Sequence, residues 1–308
     1  MISTLKSKRL RPIQIVTAGI LTALMIAYIG VVILADPTAQ TARQFWPFSL
    51  VGIGGALVAN STGVGGGVVF VPVFALMREA GQLSLSPSAA VGISFAIQCF
   101  GMTIGALTWT NRFYRRDVTP VEIERRPIVR ELVVRSLITG LPALLFTQFV
   151  IRVDGDLAFL LFKLFSITLG VLLLVQVFLL RRPHGDREEL TQIDRHAALA
   201  IGVVGGMATA LFSVGIGELL ALTLFLRRYP VDVSVASAVI VSAITVWIGV
   251  IFHLQAGHLD WRVLVFAAPA VAVGGFLARR LAHALGATRL KIMTAVWIIG
   301  SSAVLLVI

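Results

Sequence analysis

Asn60-Ser61-Thr62-Gly63-Val64-Gly65-Gly66-Gly67 and Ser213-Val214-Gly215-Ile216-Gly217-Glu218 interrupt two apolar runs, residues 48–77 and 197–226. A plain membrane helix needs about 20 apolar residues, so both runs are too long for one crossing, and both are broken near the middle by glycine and polar side chains. Non-helical backbone survives at membrane depth only where it is buried in protein or lines a wet cavity. The two breaks are therefore expected to meet inside a bundle of helices.

The rest of the composition agrees with a membrane setting. Of the 308 residues 57% are hydrophobic and 13% charged, with a mean hydropathy of +0.94, whereas a soluble domain carries about 25% charged residues. The apolar runs are continuous rather than alternating, which excludes a transmembrane β-barrel. A net charge of +11 in a soluble chain would suggest nucleic acid; here the basic residues sit between membrane-length runs and read as topology, with the lipid bilayer and no nucleic acid as the expected surroundings. The single cysteine, Cys99, excludes an internal disulfide framework.

Besides the two interrupted runs, apolar segments cover residues 13–34, 86–109, 132–151, 157–180, 231–255, 261–278 and 290–308. The first follows Lys6, Lys8, Arg9 and Arg11 and exceeds the 7 to 15 apolar residues of a signal peptide, so it reads as an uncleaved span. Lys and Arg favour the cytoplasmic side of short loops. If both interrupted runs cross the membrane, the basic residues divide into 12 inside and 13 outside, with Lys163 in a span. If both dip in and return, 21 fall inside and only Arg43, Arg78, Arg152, Lys163 and Arg262 fall outside. The second arrangement is the expected one: seven spans, two re-entrant hairpins, a cytoplasmic N-terminus and an external C-terminus. The loop 111–130, with Arg112, Arg115, Arg116, Arg125, Arg126 and Arg130, is then cytoplasmic, where it can also touch anionic headgroups.

That order contains a repeat. After the first span come hairpin, three spans, hairpin, three spans; Gly54, Gly63 and Gly65 match Gly206, Gly215 and Gly217 at a constant offset of 152. Each hairpin is followed by a span rich in small residues, Ser88-Ala89-Ala90-Val91-Gly92-Ile93-Ser94 and Ser234-Val235-Ala236-Ser237-Ala238-Val239. Three spans is an odd number, so the second unit is inverted. The expected fold is thus an all-α integral membrane protein of two inverted repeats, each a re-entrant helical hairpin plus three transmembrane helices, with one extra N-terminal helix. Its divisions are residues 1–44, the first repeat 45–180, a cytoplasmic linker 181–196 and the second repeat 197–308. Inverted repeats with interrupted helices at matching positions are a sequence pointer to a secondary transporter and its binding site.

The second half-helix of each hairpin begins at the break, so free N–H groups and a positive dipole end face the protein centre. With glycines allowing close backbone approach, Gly63, Gly65, Gly66, Gly67, Gly215 and Gly217 form a nest suited to an oxyanion, or else they simply let helices pack closely. Asn60, Ser61, Thr62 and Ser213 can cap the half-helices or bond to ligand. Ser94 and Gln98, on the span after the first hairpin, join the candidate set; Ser242 and Thr245, on the matching span, read as helix-to-helix hydrogen bonds. Glu218 stands where the first repeat has Gly66. A carboxylate at the bilayer centre costs at least about 2.5 kcal/mol unless paired, protonated or wet. It can couple proton to anion movement, bind a cationic group, or cap its own helix. His184, His196, His253, His258 and His283 show no metal-ligand spacing, and no cofactor is expected.

The pattern Gly52-Ile53-Gly54-Gly55, Thr62-Gly63-Val64-Gly65-Gly66-Gly67 and Val71-Pro72, weakened at Gly205-Gly206 and Gly215-Ile216-Gly217, resembles the sulfite exporter TauE/SafE family of membrane transporters. Leu259-Asp260-Trp261, Gly274-Gly275 and Leu277-Ala278-Arg279-Arg280 are similar to the family's ending, and the resemblance spans residues 48 to 308. It implies transport of sulfite, sulfonates or related carboxylates with proton or ion coupling, in a cell membrane, through two inverted halves. Two positions depart from the family pattern, Glu218 and the Leu224 that matches Pro72. A channel-like or structural membrane protein is the alternative. An enzyme is disfavoured because it needs a nucleophile and base or a metal set within reach of one another, and Glu218 is the one acid read at the midplane. A homodimer is an open possibility.

Overall fold

The computed structural model describes residues 12–79, 81, 85–114, 118–151, 153–178 and 187–307. The N-terminal Lys6, Lys8, Arg9 and Arg11, the loop residues Arg115 and Arg116, Arg152, and residues 181–186 of the linker, including Arg181, Arg182 and His184, lie outside the described residues. Among those described there is no β-strand. The elements are α1 (Pro12–Ala35), α2 (Ala39–Phe45), α3 (Pro47–Thr62), α4 (Gly67–Glu79), α5 (Pro87–Tyr114), α6 (Pro120–Val150), α7 (Gly155–Phe178), α8 (Gln192–Phe212), α9 (Ile216–Leu226), α10 (Val231–Gln255) and α11 (Trp261–Val307). Gly286, at φ 72°, divides α11 into two helices.

Among the described residues six helical stretches are long and apolar enough to cross a membrane: Ile13–Ala35, α5, α6, α8, α10 and Trp261–Ala282. The outward faces are apolar, with Ile26, Ile33, Ile138, Val150 and Val204 all exposed, as lipid contact requires and water does not favour. The chain is an all-helical, multi-pass membrane protein.

Glycine sets the closest helix contacts. Gly202 and Gly206, one turn apart on α8, lie against the backbone of Ser136 and Gly140 on α6, where an added Cβ would collide. The same small-residue logic brings Gly52 of α3 onto Ala267 and Ala270 of α11. The most extensive pairings are α3 with α11, α6 with α8, and α5 with α10.

Named contacts place the helix ends in two layers. In one layer Tyr28 donates to the Val265 carbonyl at 3.0 Å and Ser49 to that of Phe266 at 3.0 Å, joining the end of α1, the start of α3 and the start of α11. In the other, Arg112 pairs with Glu122 at 2.7 Å, Arg125 with Asp232 at 3.0 Å and Glu188 at 3.1 Å, and Arg195 with Glu131 at 2.8 Å. This second layer collects the ends of α5 and α9 with the starts of α6, α8 and α10.

Residues 120–130, expected as loop, are the first turns of α6. Pro120 takes the first helical position, and Thr119 and Glu122 form a reciprocal capping box, which satisfies two otherwise orphaned N–H groups. The dense positive charge conceals this start because its partners, Glu122, Asp232 and Glu188, come from elsewhere in sequence or in space.

Asp194 is the anchor of the charged layer. Its carboxylate is buried and accepts from Arg227 at 2.7 Å, Arg187 at 3.2 Å, Tyr229 at 2.8 Å and the Thr191 hydroxyl at 2.6 Å. Burial, reinforced by this neighbouring carboxylate, holds the Tyr229 hydroxyl above its ordinary pKa. The Arg227 bond joins the beginning of α8 to the end of α9. Asp194→Ala removes the buried partner of two arginines that are themselves about a third exposed and should cost about 2 kcal/mol, measured as a lower melting temperature of the purified protein; native-like melting would refute the anchoring role.

Candidate functional site

α3 and α8 both end in the left-handed conformation, at Gly63 (φ 79°) and Ser213 (φ 60°), and α4 and α9 begin a few residues later. The two breaks lie against each other: a Cβ on Gly67 would strike the Ser213 carbonyl and the Val214 side chain. α3 ends at Gly63 and α8 at Ser213, 150 positions apart, whereas the glycines of the two runs align at 152.

Glu218 sits at the centre, 2% exposed. Its Oε1 accepts from the Gly65 N–H at 2.6 Å and its Oε2 from the Gly215 N–H at 2.7 Å. One carboxylate thus takes one backbone donor from each break, at the N-terminal ends of α4 and α9, where the helix dipoles favour negative charge. Gln98 completes the junction. Its Oε1 accepts from the Gly66 N–H at 2.8 Å, and its Nε2 donates to the Ser213 hydroxyl at 2.7 Å and to the Ser94 hydroxyl at 3.1 Å. Ser94 donates in turn to Ser213 at 3.2 Å.

Of the candidates read from sequence, Gly65, Gly66, Gly67, Ser94, Gln98, Ser213, Gly215 and Glu218 are brought together. Gly217 is adjacent, packed against the Ser242 side chain. Asn60, Ser61, Thr62 and Gly63 are not part of this cluster. Asn60 donates to the Ala56 carbonyl and its own carbonyl accepts from Trp109; Ser61 and Thr62 both bond back to the Val58 carbonyl. Thr62 also caps the Val64 N–H at 3.2 Å, and Gly63 packs on Ala221 and Ala238. The polar side chains before the first break serve the end of α3.

Thr209 belongs to the site and has no signal in sequence beyond being a hydroxyl one turn before the break. Its Oγ1 donates to the Gly205 carbonyl at 2.7 Å and accepts from the Ile216 N–H at 3.1 Å. Ser242 and Thr245, read as interhelical hydrogen bonds, line the same small void as Glu218, Gln98 and Gly65. Thr245 itself bonds to the Val241 carbonyl of its own helix at 2.7 Å.

The void left in the centre is only about 10 Å³, the room of one water. At the two breaks the N–H groups of Gly65, Gly66, Gly215 and Ile216 are taken by the side chains of Glu218, Gln98 and Thr209. Among the described residues no three His, Cys, Asp or Glu side chains group as metal ligands.

Two interrupted apolar helix pairs, meeting in a bundle of membrane-length helices with backbone N–H groups around a carboxylate, define a polytopic membrane protein of transporter type. Residues 48–305 match the family described as sulfite exporter TauE/SafE, and the chain belongs to that family, a class of membrane transporters for sulfite and related sulfur anions. Neither the curated proteins nor the solved structures contain a match.

Proposed function

We propose that this chain is a proton-coupled secondary transporter of a small sulfur or carboxylate oxyanion, with Glu218 as the coupling group. The observation that carries the reading is the Glu218 carboxylate itself, which accepts one N–H from each break and so stands where a substrate oxyanion would stand. An external anion and an ionised Glu218 compete for the same donors. When the carboxyl takes up a proton it becomes a poorer acceptor and gains an O–H donor; the anion then takes the Gly65 and Gly215 N–H groups. Proton and anion therefore load together, and affinity for the anion rises as pH falls.

The inverted-repeat topology fits this reading. The Asp194 to Arg227 bond ties the two ends of the α8–α9 pair, and Phe48 packs on Phe74 with rings 5.8 Å apart, tying the early part of α3 to the later part of α4. Both pairs are read as re-entrant hairpins, in units 45–180 and 197–308. The pairings α3 with α11 and α8 with α6 set each hairpin on the second span of the other unit, as a two-fold relation between inverted halves requires. We read the layer rich in arginine as cytoplasmic and, with it, the C-terminus as external. The closed centre, with room for about one water, suits a carrier that exposes its site alternately better than an open channel.

Acid-outside proteoliposomes should accumulate labelled sulfite or sulfoacetate above its equilibrium level; equilibration without accumulation would refute coupling. For the topology, Ala256→Cys should label with an impermeant maleimide in intact cells and Glu124→Cys should not, since the native Cys99 is buried. The opposite pattern would invert the assignment.

A further inference from the structure

The ends of α3 and α8 are covered differently. A cavity of about 400 Å³ lies in the layer opposite the arginine network. One end of it is bounded by Pro87 at the start of α5, Ile151 after α6 and His258 in the turn after α10, all at helix ends. The other end is bounded by Val71 of α4 and by Ala210 and Phe212 of α8, beside the second break. The cavity therefore runs from the helix ends of that layer to the last turn of α8.

Asn60 and Ala210 hold the same place in the two helices, each three residues before the left-handed terminator. Ala210 borders the cavity, whereas Asn60 is covered. It is 1% exposed, and its carbonyl accepts from Trp109 Nε1 at 2.9 Å. That carbonyl is among the last four of α3, which have no partner inside the helix, so the indole both fills the space and completes the helix end. Trp109, also 1% exposed, shares a core with Met102, Phe113 and Tyr229 and stands five residues before the end of α5, towards the arginine layer. Gly105, one turn earlier, leaves the room that the Asn60 side chain takes up.

We infer that Trp109 is the gate of the arginine layer, and that the structure is the state open on the opposite side, with the cavity as its access path. The inference rests on the reading of the chain as a carrier of two inverted halves. In such a carrier the two covers exchange: α5 parts from the end of α3, Trp109 leaves the Asn60 carbonyl, and the cavity beside α8 closes. Opening on the arginine side also wets Asn60 Oδ1, which is buried and has no hydrogen-bond partner among the described residues; that state recovers a bond which the closed one forgoes. Trp109 thus acts on the balance between the two states rather than on the anion.

Val91 lines the cavity and is only partly buried. Val91→Cys in purified full-length protein should label with N-ethylmaleimide, against a background set by the native chain, whose single cysteine is buried. Adding Trp109→Ala should slow that labelling roughly fivefold, because the population moves to the state in which the cavity is shut. Trp109→Phe, which keeps a ring but loses the N–H, should slow it roughly twofold. A tryptophan that merely fills the core would loosen the protein when removed, so labelling as fast or faster in both variants would overturn the proposal, as would no labelling of Val91→Cys above background. If Trp109→Ala is not monodisperse, Trp109→Phe decides alone. Sulfoacetate uptake by native proteoliposomes separates the two readings: uptake with unslowed labelling refutes the gate alone, and slowed labelling without uptake supports the gate and refutes the anion reading.

Discussion

Glu218→Gln should abolish proton-driven accumulation while leaving anion binding in place. Glutamine keeps the shape and one acceptor oxygen, so the Gly215 or Gly65 N–H retains a partner, yet the side chain can no longer exchange a proton. In the native protein the apparent affinity for the anion should rise roughly tenfold per pH unit fall across the range where one proton is taken up, by linkage. In Glu218→Gln the affinity should be flat with pH, and uptake should become passive exchange. A variant that keeps the native pH profile but loses the anion would make Glu218 a direct ligand for a cationic group. A variant unchanged in both respects would leave Glu218 only the role of helix cap.

Gly65→Val should reduce transport at least a hundredfold in protein that still inserts and folds. A Cβ at Gly65 would meet Glu218 Oε1, and Gln98 Oε1 lies 3.3 Å from it. A valine therefore pushes both side chains off the junction between the breaks. Overpacking of this kind costs about 1 to 3 kcal/mol, which monodisperse elution and melting temperature will report separately from transport. Gly54→Val is the control, since nothing lies within 4 Å of a Cβ there. Equal loss in both variants would attribute the effect to α3 as a whole rather than to the site; no loss in Gly65→Val would remove the junction from the mechanism.

The breaks were legible in sequence because glycine and polar residues inside an apolar run conflict with a simple span, and Glu218 was legible as an acid where hydrocarbon surrounds it. That it caps its own helix was among the readings and holds, through Gly215; that it also bridges to the other break was not legible. Its two bonds reach Gly65, 153 residues away, and Gly215, three residues away; only the first depends on how the breaks face one another. The offset of 152 came from aligning glycines, whereas the helices terminate at Gly63 and at Ser213, a serine held at positive φ that carries no glycine signal. The start of α6 was hidden for a different reason. Thr119-Pro120-Val121-Glu122 is a readable capping box, but the arginines around it speak for a loop until Asp232 and Glu188 arrive from other segments. His253 and His258 have no metal spacing, yet the turn after α10 brings their Nδ1 atoms to 3.1 Å, and both line one cavity.

The central claim is that the anion and the Glu218 carboxylate share the donors of the two breaks, so that binding the anion requires a proton. Proton uptake on binding measures this directly. Calorimetric titration of purified protein with sulfoacetate, in buffers of different ionisation enthalpy, counts the protons taken up for each anion bound. The account predicts close to one proton for the native protein within the pH range where Glu218 titrates, and none for Glu218→Gln. Binding without proton uptake in the native protein, or the same uptake in Glu218→Gln, would contradict it.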